Sequence, residues 1–473
     1  LKACIHLSSM APNYNPSSSY IFLILSLHFL SIIATGNNHI TDRKSLEIII
    51  GGGESSNYNS PAPSPEPENC PPPPPPPYLT PSPPPPQPLP PPPPPPIRFS
   101  SPLIEKVYPV IKNFQNLIED DPNKILETWV GTDICAKDRY IGLECAKFPG
   151  TNNLAVASIQ FNQFNLGGKK LRLDNFLDKL EEVSIFHANS NSFVGSVPEF
   201  SNLKYLFELD LSNNKLSGEF PSSVLKAKNL TFLDLRFNSL SGPVPPQVFN
   251  LDLDVLFLNN NNLVQRLPEN LGSITALYLT FANNRFTGSI PGSIGDIKSL
   301  QEVLFLNNKL TGCLPYQIGK LNRATVFDAE LNQLTGPIPY SFGCLDKMEQ
   351  LSLARNKFYG TIPETVCELS ALRNLSLSFN YFTQVGPKCR KLIKRKILDV
   401  GMNCILDLEN QRTPWECAKF FLRKQNCPNS KSFFYFPCGK YPHRIKPDQE
   451  ELDGQASPPV SYGALNPDRI RNL

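Results

Sequence analysis

One repeating pattern constrains this chain more than any other feature. The pattern L-x-x-L-x-L-x-x-N-x-L-x-G-x-[IVLF]-P recurs with its Asn spaced 23 or 24 residues apart, at positions 191, 214, 238, 261, 284, 308, 332, 356 and 380. A degenerate earlier copy contains Ile159, Phe161, Leu166 and Gly168, so about ten turns are predicted, with Asn380 closing the series. Neither chance nor a set of generic leucine-rich helices explains such regularity.

Each part of the pattern has a physical reason. The two Leu-type residues of L-x-L point inward from a short strand, and the Asn turns inward to hydrogen-bond the backbone of neighbouring turns. The Gly permits a tight bend, and the Pro that follows starts the return side of the coil. Because no single turn can bury its own apolar face, adjacent turns must stack. The sequence therefore predicts an α/β repeat: a right-handed solenoid with one long, parallel, concave sheet.

The composition of the flanking segments predicts how the rest of the chain is organised. An apolar stretch from Tyr20 to Ile33, followed by Ala34-Thr35-Gly36, resembles a signal peptide with Met10 as its start, and it is too short to span a bilayer. Almost half of the 50 prolines lie between Pro61 and Pro96, which predicts solvated polyproline II. The predicted regions are a leader (1–36), a disordered Gly/Pro-rich region with a polyproline tract (37–100), an N-terminal cap (101–150), the repeats (151–387), a basic Cys-rich C-terminal cap (388–446) and a disordered tail (447–473).

Charge and motif content argue against an enzyme or a nucleic-acid binder. Lys+Arg total 45 and Asp+Glu total 42, so the net charge of +3 is too small to indicate a nucleic-acid partner. With only five His, and with no phosphate loop, nucleophile elbow or paired-carboxylate cleft, no catalytic residue, cofactor or metal is predicted. No later stretch reaches 18 apolar residues, so no membrane span is expected either.

The cysteines indicate an oxidising compartment. One of the 12, Cys4, lies in the leader, so an odd number remains. Cys70, in the proline tract, is the natural candidate for a free or intermolecular thiol, and a homodimer linked elsewhere is equally open. Two acceptor sequons, at Asn229 and Asn374, are compatible with secretion and predict glycosylation.

Repeat positions allow some of the remaining cysteines to be paired. Cys135 and Cys145 are predicted to close the N-terminal cap. Cys367–Cys389 would tie the last full turn to the tail, with Cys344–Cys367 as the competing bridge, and the partner of Cys313 stays open. The last four cysteines of the chain are predicted to form two further bridges of unknown connectivity. A zinc site is the weak alternative, because their spacing does not match that of zinc ligands. These four cysteines are Cys404, Cys417, Cys427 and Cys438.

The strand residues that do not point inward predict a binding surface. They leave each strand toward solvent on the concave side, where apolar side chains alternate with Asp and Glu. Such a face suits a partner with basic and apolar side chains. The alternative is that the apolar residues only pack on one another along the sheet. The candidate ligand-binding residues are His187, Asp210, Asp234, Arg236, Phe237, Phe257, Tyr278, Leu304, Leu306, Asp328 and Glu330.

Six cations follow the last predicted repeat within nine residues; this basic run comprises Lys388, Arg390, Lys391, Lys394, Arg395 and Lys396. A solvated surface is the simplest interpretation of such a run. The sharper one is contact with an acidic extracellular polysaccharide such as pectin, which the predicted secretion favours.

Several motifs carry a family resemblance. The half-repeat Leu216-Ser-Gly-Glu-Phe-Pro221 resembles the plant-type extracellular leucine-rich repeat, as do Phe286–Pro291 and Leu334–Pro339. Among such proteins the chain most resembles leucine-rich-repeat extensins. The more specific matches are Phe186–Phe193, Phe305–Pro315, Thr325–Asp328 and the tail pattern Asn403-Cys404 … Gln411-Arg412 … Cys417 … Phe420 … Cys427 … Cys438.

The resemblance implies a right-handed plant-type leucine-rich-repeat solenoid with disulfide-stapled N- and C-terminal caps. It also implies a secreted protein of the cell wall or apoplast that binds a small secreted Cys-rich peptide of the rapid-alkalinisation-factor type, or another extracellular protein, and ties it to the wall. The chain departs from the family because its proline tract precedes the repeats and contains one Ser82–Pro86 motif. The alternatives are a polygalacturonase-inhibitor-like defence protein and a structural wall glycoprotein without a specific ligand.

Overall fold

The computed structural model describes residues 98–423, 427–428 and 430–439. The predicted leader, polyproline tract, terminal tail and Cys70 thiol lie outside these residues.

A small cap precedes the repeats. Helix α1 (Pro102–Gln115) begins at Ser101, whose side-chain oxygen accepts a hydrogen bond from the backbone N–H of Ile104 at 3.2 Å. The apolar face of α1 packs on the first turn of the coil, where the ring of Phe114 stacks on that of Phe176 at 3.7 Å between centroids. The fully buried Trp129 follows a 3-10 helix at Ile125–Thr128. The cap thereby shields the apolar end of the repeat core from water.

A twelve-stranded sheet forms one side of the coil. Strands β1 (Leu143–Lys147) and β2 (Leu154–Gln160) are antiparallel, and every later neighbour in this sheet is parallel, which confirms the predicted solenoid. The remaining strands of this sheet are β3 (Ile185–His187), β5 (Glu208–Asp210), β7 (Phe232–Asp234), β9 (Val255–Phe257), β11 (Tyr278–Thr280), β13 (Glu302–Leu304), β15 (Val326–Asp328), β17 (Gln350–Ser352), β19 (Asn374–Ser376) and β21 (Leu398–Asp399).

Two shorter parallel sheets follow the Asn of the repeat, and most of their strands contain its Gly. At this bend Gly336 has a φ of 93°, which is a conformation that residues with a Cβ rarely adopt. One sheet contains β4 (Val194–Gly195), β6 (Lys215–Glu219), β8 (Ser239–Gly242) and β10 (Asn262–Leu263). The other contains β12 (Thr287–Gly288), β14 (Lys309–Cys313), β16 (Gln333–Gly336), β18 (Lys357–Ile362) and β20 (Tyr381–Val385).

Short helices form the return side of the coil. An earlier 3-10 helix covers Leu177–Lys179, and from Ser222 onward each helix of the return side follows a Pro, as the pattern predicts. The 3-10 helices after these prolines are Ser222–Lys226, Pro246–Asn250, Glu269–Ser273, Gly292–Asp296, Tyr316–Lys320 and Tyr340–Cys344, and the last helix of the series is α2 (Glu364–Cys367).

The repeated Asn joins neighbouring turns, as expected. Asn308 is 8% exposed and donates its side-chain N–H groups to the carbonyls of Phe281 at 2.9 Å and Phe305 at 3.0 Å. Its carbonyl oxygen accepts from the backbone N–H of Phe286 at 2.9 Å. Because Phe281 and Phe286 belong to the preceding turn, the Asn side chain replaces backbone partners that an isolated turn would lack.

The repeat series continues one turn past Asn380, where the sequence pattern had predicted its end. Asn403 donates to the carbonyls of Leu377 and Val400 and accepts from the N–H of Phe382, and β21 adds the last parallel strand. Met402, which precedes Asn403, has a left-handed φ of 55°, like the residues that precede the Asn of the earlier repeats. This turn escaped detection because Asp407 and Asn410 stand where the repeat has its Gly and its Pro.

Two helices complete the C-terminal cap. Helix α3 (Pro387–Lys394) covers the end of the coil and buries Cys389 and Leu392. Helix α4 (Pro414–Phe421) begins with a reciprocal capping box between Thr413 and Glu416. The ring of Phe420 stacks on Tyr381 of β20 at 3.7 Å, so α4 is anchored to the last turns of the coil.

The bridges Cys135–Cys145 and Cys367–Cys389 form as predicted, the second from its repeat positions, and Cys404 pairs with Cys417. The expectation that the last four cysteines pair among themselves is wrong for two of them. Cys427 bonds to Cys313, and Cys438 bonds to Cys344 rather than leaving Cys344 to compete for Cys367. The tail returns along the coil through a 3-10 helix at Ser430–Phe434, and Tyr340 packs on Phe434 at 5.4 Å. Aromatic packing thus brings cysteines far apart in sequence together.

Candidate functional site

The concave face is defined by strand register. Leu233 and Leu235 are fully buried in the core, so alternation places Asp234 between them on the opposite side of the sheet. The strand pairing aligns the central predicted positions of all turns in one row. From the N-terminal end this row contains Gln160, His187, Asp210, Asp234, Phe257, Thr280, Leu304, Asp328, Ser352 and Ser376.

Much of this row is less accessible than the sequence led us to expect. Asp234 is 0% exposed, Leu304 4% and Phe257 6%, so the expectation that they project into solvent is wrong. Adjacent parallel strands lie only about 4.8 Å apart, and long neighbouring side chains cover short ones. Part of the row therefore packs along the ladder, which was the alternative interpretation.

A polar cluster occupies the N-terminal end of the face. His187 Nε2 lies 2.8 Å from Glu208 Oε2, and the imidazole lies 6.1 Å from the ring of Phe232. Asp210 accepts hydrogen bonds from the side chain of Asn189 at 3.0 Å and from the backbone N–H of Ser212 at 2.9 Å. Asp210 therefore has internal hydrogen-bond partners, and His187 lies against Glu208.

The Arg236 side chain covers Asp234 and Phe257 at the centre of the concave face. Its guanidinium lies 2.7 Å from Asp234 Oδ2 and 4.7 Å above the ring of Phe257. Burial raises the pKa of Asp234 to about 7, against the opposing effect of Arg236. Phe237 lies at the edge of the sheet, 37% exposed and with a left-handed φ of 51°. Asp234 therefore has an internal partner, and a ligand cation would have to compete with Arg236 for it.

An acidic floor, defined as Glu302, Asp328 and Glu330, lies farther along the face. Glu302 and Asp328 are diagonal neighbours on β13 and β15, and neither forms an ion pair with a described cation. Burial raises the pKa of both carboxyl groups to about 7. Glu330 lies 3.5 Å from Arg355 and accepts a hydrogen bond from Ser352 at 3.2 Å. Two carboxyl groups that form no ion pair with a described cation thus face the concave side.

Apolar and aromatic side chains border the acidic floor. Tyr278 is in register with Glu302, and its hydroxyl lies 3.4 Å from Gln301 Oε1. Leu304 lies on the same face of β13 as Glu302, in register with Thr280 and Asp328, and Leu306 follows two residues later and is half-buried. The floor therefore combines two carboxyl groups of raised pKa with apolar borders.

Sequence reasoning missed Glu208, Phe232 and Glu302. All three occupy the outward position that precedes the first inward residue of a strand. The alternation of strand side chains was the signal that could have found them, because positions two apart share a face.

The raised pKa values predict that stability falls with rising pH. Glu302 and Asp328 bind protons in the folded state up to about pH 7, whereas their ordinary pKa values are 4.5 and 3.8. Their contribution is complete below about pH 4 and is lost as the pH rises through 7, at up to about 1.4 kcal/mol per pH unit for each group. Chemical denaturation at several pH values checks this. Glu302→Gln should flatten the slope, and an unchanged slope would contradict the assignment.

The remaining predicted features lie at the surface. Asn229 and Asn374 are both exposed. In the basic run, Lys388 pairs with Glu368, and Arg390 lies 2.6 Å from Asp407. The other four cations are exposed and form no ion pair with a described residue; they are Lys391, Lys394, Arg395 and Lys396.

Two searches of the described residues found nothing. No group of three or more His, Cys, Asp or Glu side chains there is arranged to hold a metal ion. None of the helices described combines the length and apolar character needed to cross a bilayer.

Comparison with known proteins identifies the repeat. The family model described as Leucine Rich Repeat matches residues 205–226 and 229–251. Leucine-rich repeat extensin-like protein 2 of Arabidopsis thaliana is 41% identical over 210 residues, covering 44% of this chain and 26% of that protein. Leucine-rich repeat extensin-like protein 4 of the same plant is 38% identical over 207 residues, covering 43% and 41%.

A solved structure supports the fold alone. The crystal structure of a plant ice-binding protein superposes with a TM-score of 0.51 at 23% identity, covering 60% of this chain and 91% of that chain. The matches to the two extensin-like relatives span well under half of each relative's length. Over somewhat less than half of its length, this chain is confirmed to resemble the leucine-rich repeat extensin-like proteins, and its fold is a plant-type leucine-rich-repeat solenoid.

Proposed function

We propose that this chain is a secreted, non-enzymatic cell-wall protein that captures a small, basic, Cys-rich peptide on its concave face and links it to the wall. A peptide of the rapid-alkalinisation-factor type fits this description, and a basic extracellular protein is the broader possibility. The acidic floor is the observation that carries the proposal. The resemblance to extensin-like relatives and the five disulfides, which suit an oxidising compartment, support it.

The position proposed for the peptide follows from which carboxyl groups of the concave face form no ion pair with a described cation. Asp234 is neutralised by Arg236, and Asp210 has amide partners, so neither needs a ligand cation. Glu302 and Asp328 form no ion pair with a described cation and lie in a partly desolvated surface, although Asp328 accepts a hydrogen bond from the backbone N–H of Glu330 at 2.8 Å. A Lys or Arg placed between them would form charge-assisted hydrogen bonds at low local dielectric. The proposed peptide therefore binds over β11 to β17, with Tyr278 and Leu306 as its apolar contacts.

The four unpaired cations of the basic run give the proposed link to the wall. Lys394 and the C-cap residue Arg395 follow Lys391 by three and four residues, so all three lie on one side of α3. An acidic polysaccharide such as pectin complements this charge, and the polyproline tract outside the described residues would add a second attachment. Salt-reversible retention of the full chain on polygalacturonate, but not on fully methyl-esterified pectin, tests this contact.

Titration of the full chain with a folded, disulfide-bonded cationic peptide of the rapid-alkalinisation-factor type tests the proposed function. We expect the affinity to fall about tenfold or more as salt rises from roughly 50 to 500 mM. It should also rise with pH between about 5.5 and 8, because a cation binds the ionised carboxylates. Absence of binding, or binding indifferent to both salt and pH, would contradict the proposal.

A further inference from the structure

Large aromatic side chains are exposed on the edge of the sheet where its parallel strands begin. Tyr205 is 43% exposed and Phe207 is 44% exposed, on either side of the buried Leu206. The Tyr205 ring meets the ring of Phe148 edge-on at 5.2 Å between centroids. We call Phe148, Tyr205 and Phe207 the aromatic edge. Exposed apolar groups clustered in this way mark a surface that something else covers.

A glycosylation sequon lies directly beside this edge, on the next turn. The side-chain nitrogen of Asn229 donates a hydrogen bond to the carbonyl of Lys204 at 2.7 Å, which is the peptide group preceding Tyr205. The third sequon residue, Thr231, donates its backbone N–H to the carbonyl of Phe207 at 3.0 Å. The nitrogen that would carry a glycan is therefore held at the backbone of the two exposed aromatic residues.

We propose that Asn229 carries an N-linked glycan whose first sugars pack over the aromatic edge. This inference rests on the secretion in the proposed function, because the glycan is transferred in the secretory pathway. The Asn229 amide nitrogen forms a C–N bond to the anomeric carbon of a lipid-diphosphate-linked oligosaccharide. The C–O bond to the diphosphate breaks, and the amide proton leaves with that group. One amide N–H remains to donate to Lys204, so the geometry that aims the glycan is retained.

The packing follows from the chemistry of both surfaces. The C–H-bearing face of a pyranose ring is apolar, and covering Tyr205 and Phe207 removes aromatic area from water. The other sequon provides an internal contrast. Asn374 lies at the start of β19 in register with Gln350, beside the ion pair of Arg373 and Glu349. A glycan there meets a polar surface and is expected to leave stability unchanged.

The test compares one secreted chain before and after enzymatic removal of its glycans. Mass spectrometry should find Asn229 occupied, and deglycosylation should lower Tm by roughly 2 °C or more, the shift of a contact near 1 kcal/mol. Tyr205→Ser/Phe207→Ser should abolish that difference, whereas Asn374→Gln should preserve it. The difference in Tm between the glycosylated and deglycosylated forms is measured within each variant. Any change in Tm caused by the substitution itself therefore cancels.

Other outcomes overturn the inference. A secreted chain with Asn229 unmodified, or a Tm difference that persists in Tyr205→Ser/Phe207→Ser, would each refute it. Either result leaves the proposed function standing, because peptide binding on the concave face does not involve this edge. Retention of the chain inside the cell would instead refute the secretion on which both proposals depend.

Discussion

Asn332→Ala is expected to lower the free energy of unfolding by about 3 kcal/mol, the largest effect that we predict for a single substitution in the repeats. Asn332 is 8% exposed and donates to the carbonyls of Phe305 at 2.9 Å and Ala329 at 3.2 Å. Its side-chain oxygen accepts from the N–H of Leu310 at 3.0 Å. Alanine leaves the buried N–H of Leu310 without its side-chain acceptor. It also removes one of the two side-chain donors to each carbonyl, since Phe305 keeps only Asn308 and Ala329 keeps only Asn356.

Equilibrium denaturation followed by circular dichroism measures this effect. Asn322→Ala is the matched control, since Asn322 is exposed in the loop before β15. The control should change the free energy of unfolding by less than about 0.5 kcal/mol. Equal, small losses of unfolding free energy in both variants would show that the Asn of the repeat does not hold neighbouring turns together.

The regular part of the fold could be predicted from sequence because stacking leaves little choice. Each turn must bury its L-x-L side chains against the next, so the spacing of Asn191 to Asn380 already fixes the order and register of the concave strands. The same reasoning predicted the role of Pro221 and its equivalents before the return helices. Local periodicity sufficed wherever each contact joins one turn to the next.

The irregular end of the fold could not be predicted in this way. Pairing of Cys427 with Cys313 spans 114 residues, and that of Cys438 with Cys344 spans 94. These contacts depend on the path of the tail along the return side, which aromatic packing at Tyr340 and Phe434 sets. The spacing of the repeats contains no information about the path of the tail.

The candidate site was predictable in position but not in exposure. Alternation along the strands correctly places Asp234, Phe257 and Asp328 on one face. Whether a side chain on that face is free depends on the size and charge of its neighbours, as Arg236 over Phe257 demonstrates. Glu302 was overlooked although its position obeys the same alternation.

Charge reversal of the acidic floor has the largest effect that we expect on binding. Glu302→Lys/Asp328→Lys should weaken the cationic peptide at least about 100-fold, because two attractions become two repulsions in a partly desolvated surface. Buried Lys side chains could disturb the sheet, so Glu302→Gln/Asp328→Asn supplies the neutral, nearly isosteric variant, with an expected loss of about tenfold. Thermal unfolding of each variant establishes that it is folded.

Side-by-side titration of four proteins with the same peptide tests the central claim, which is that the concave face binds a basic ligand through these two carboxyl groups. The four are the full chain, the two double variants and Glu269→Lys, whose exposed glutamate lies on the return side. We predict that Glu269→Lys binds like the unmodified chain, that the neutral variant binds more weakly and that the reversed variant binds weakest. Equal affinity of all four folded proteins would contradict the account.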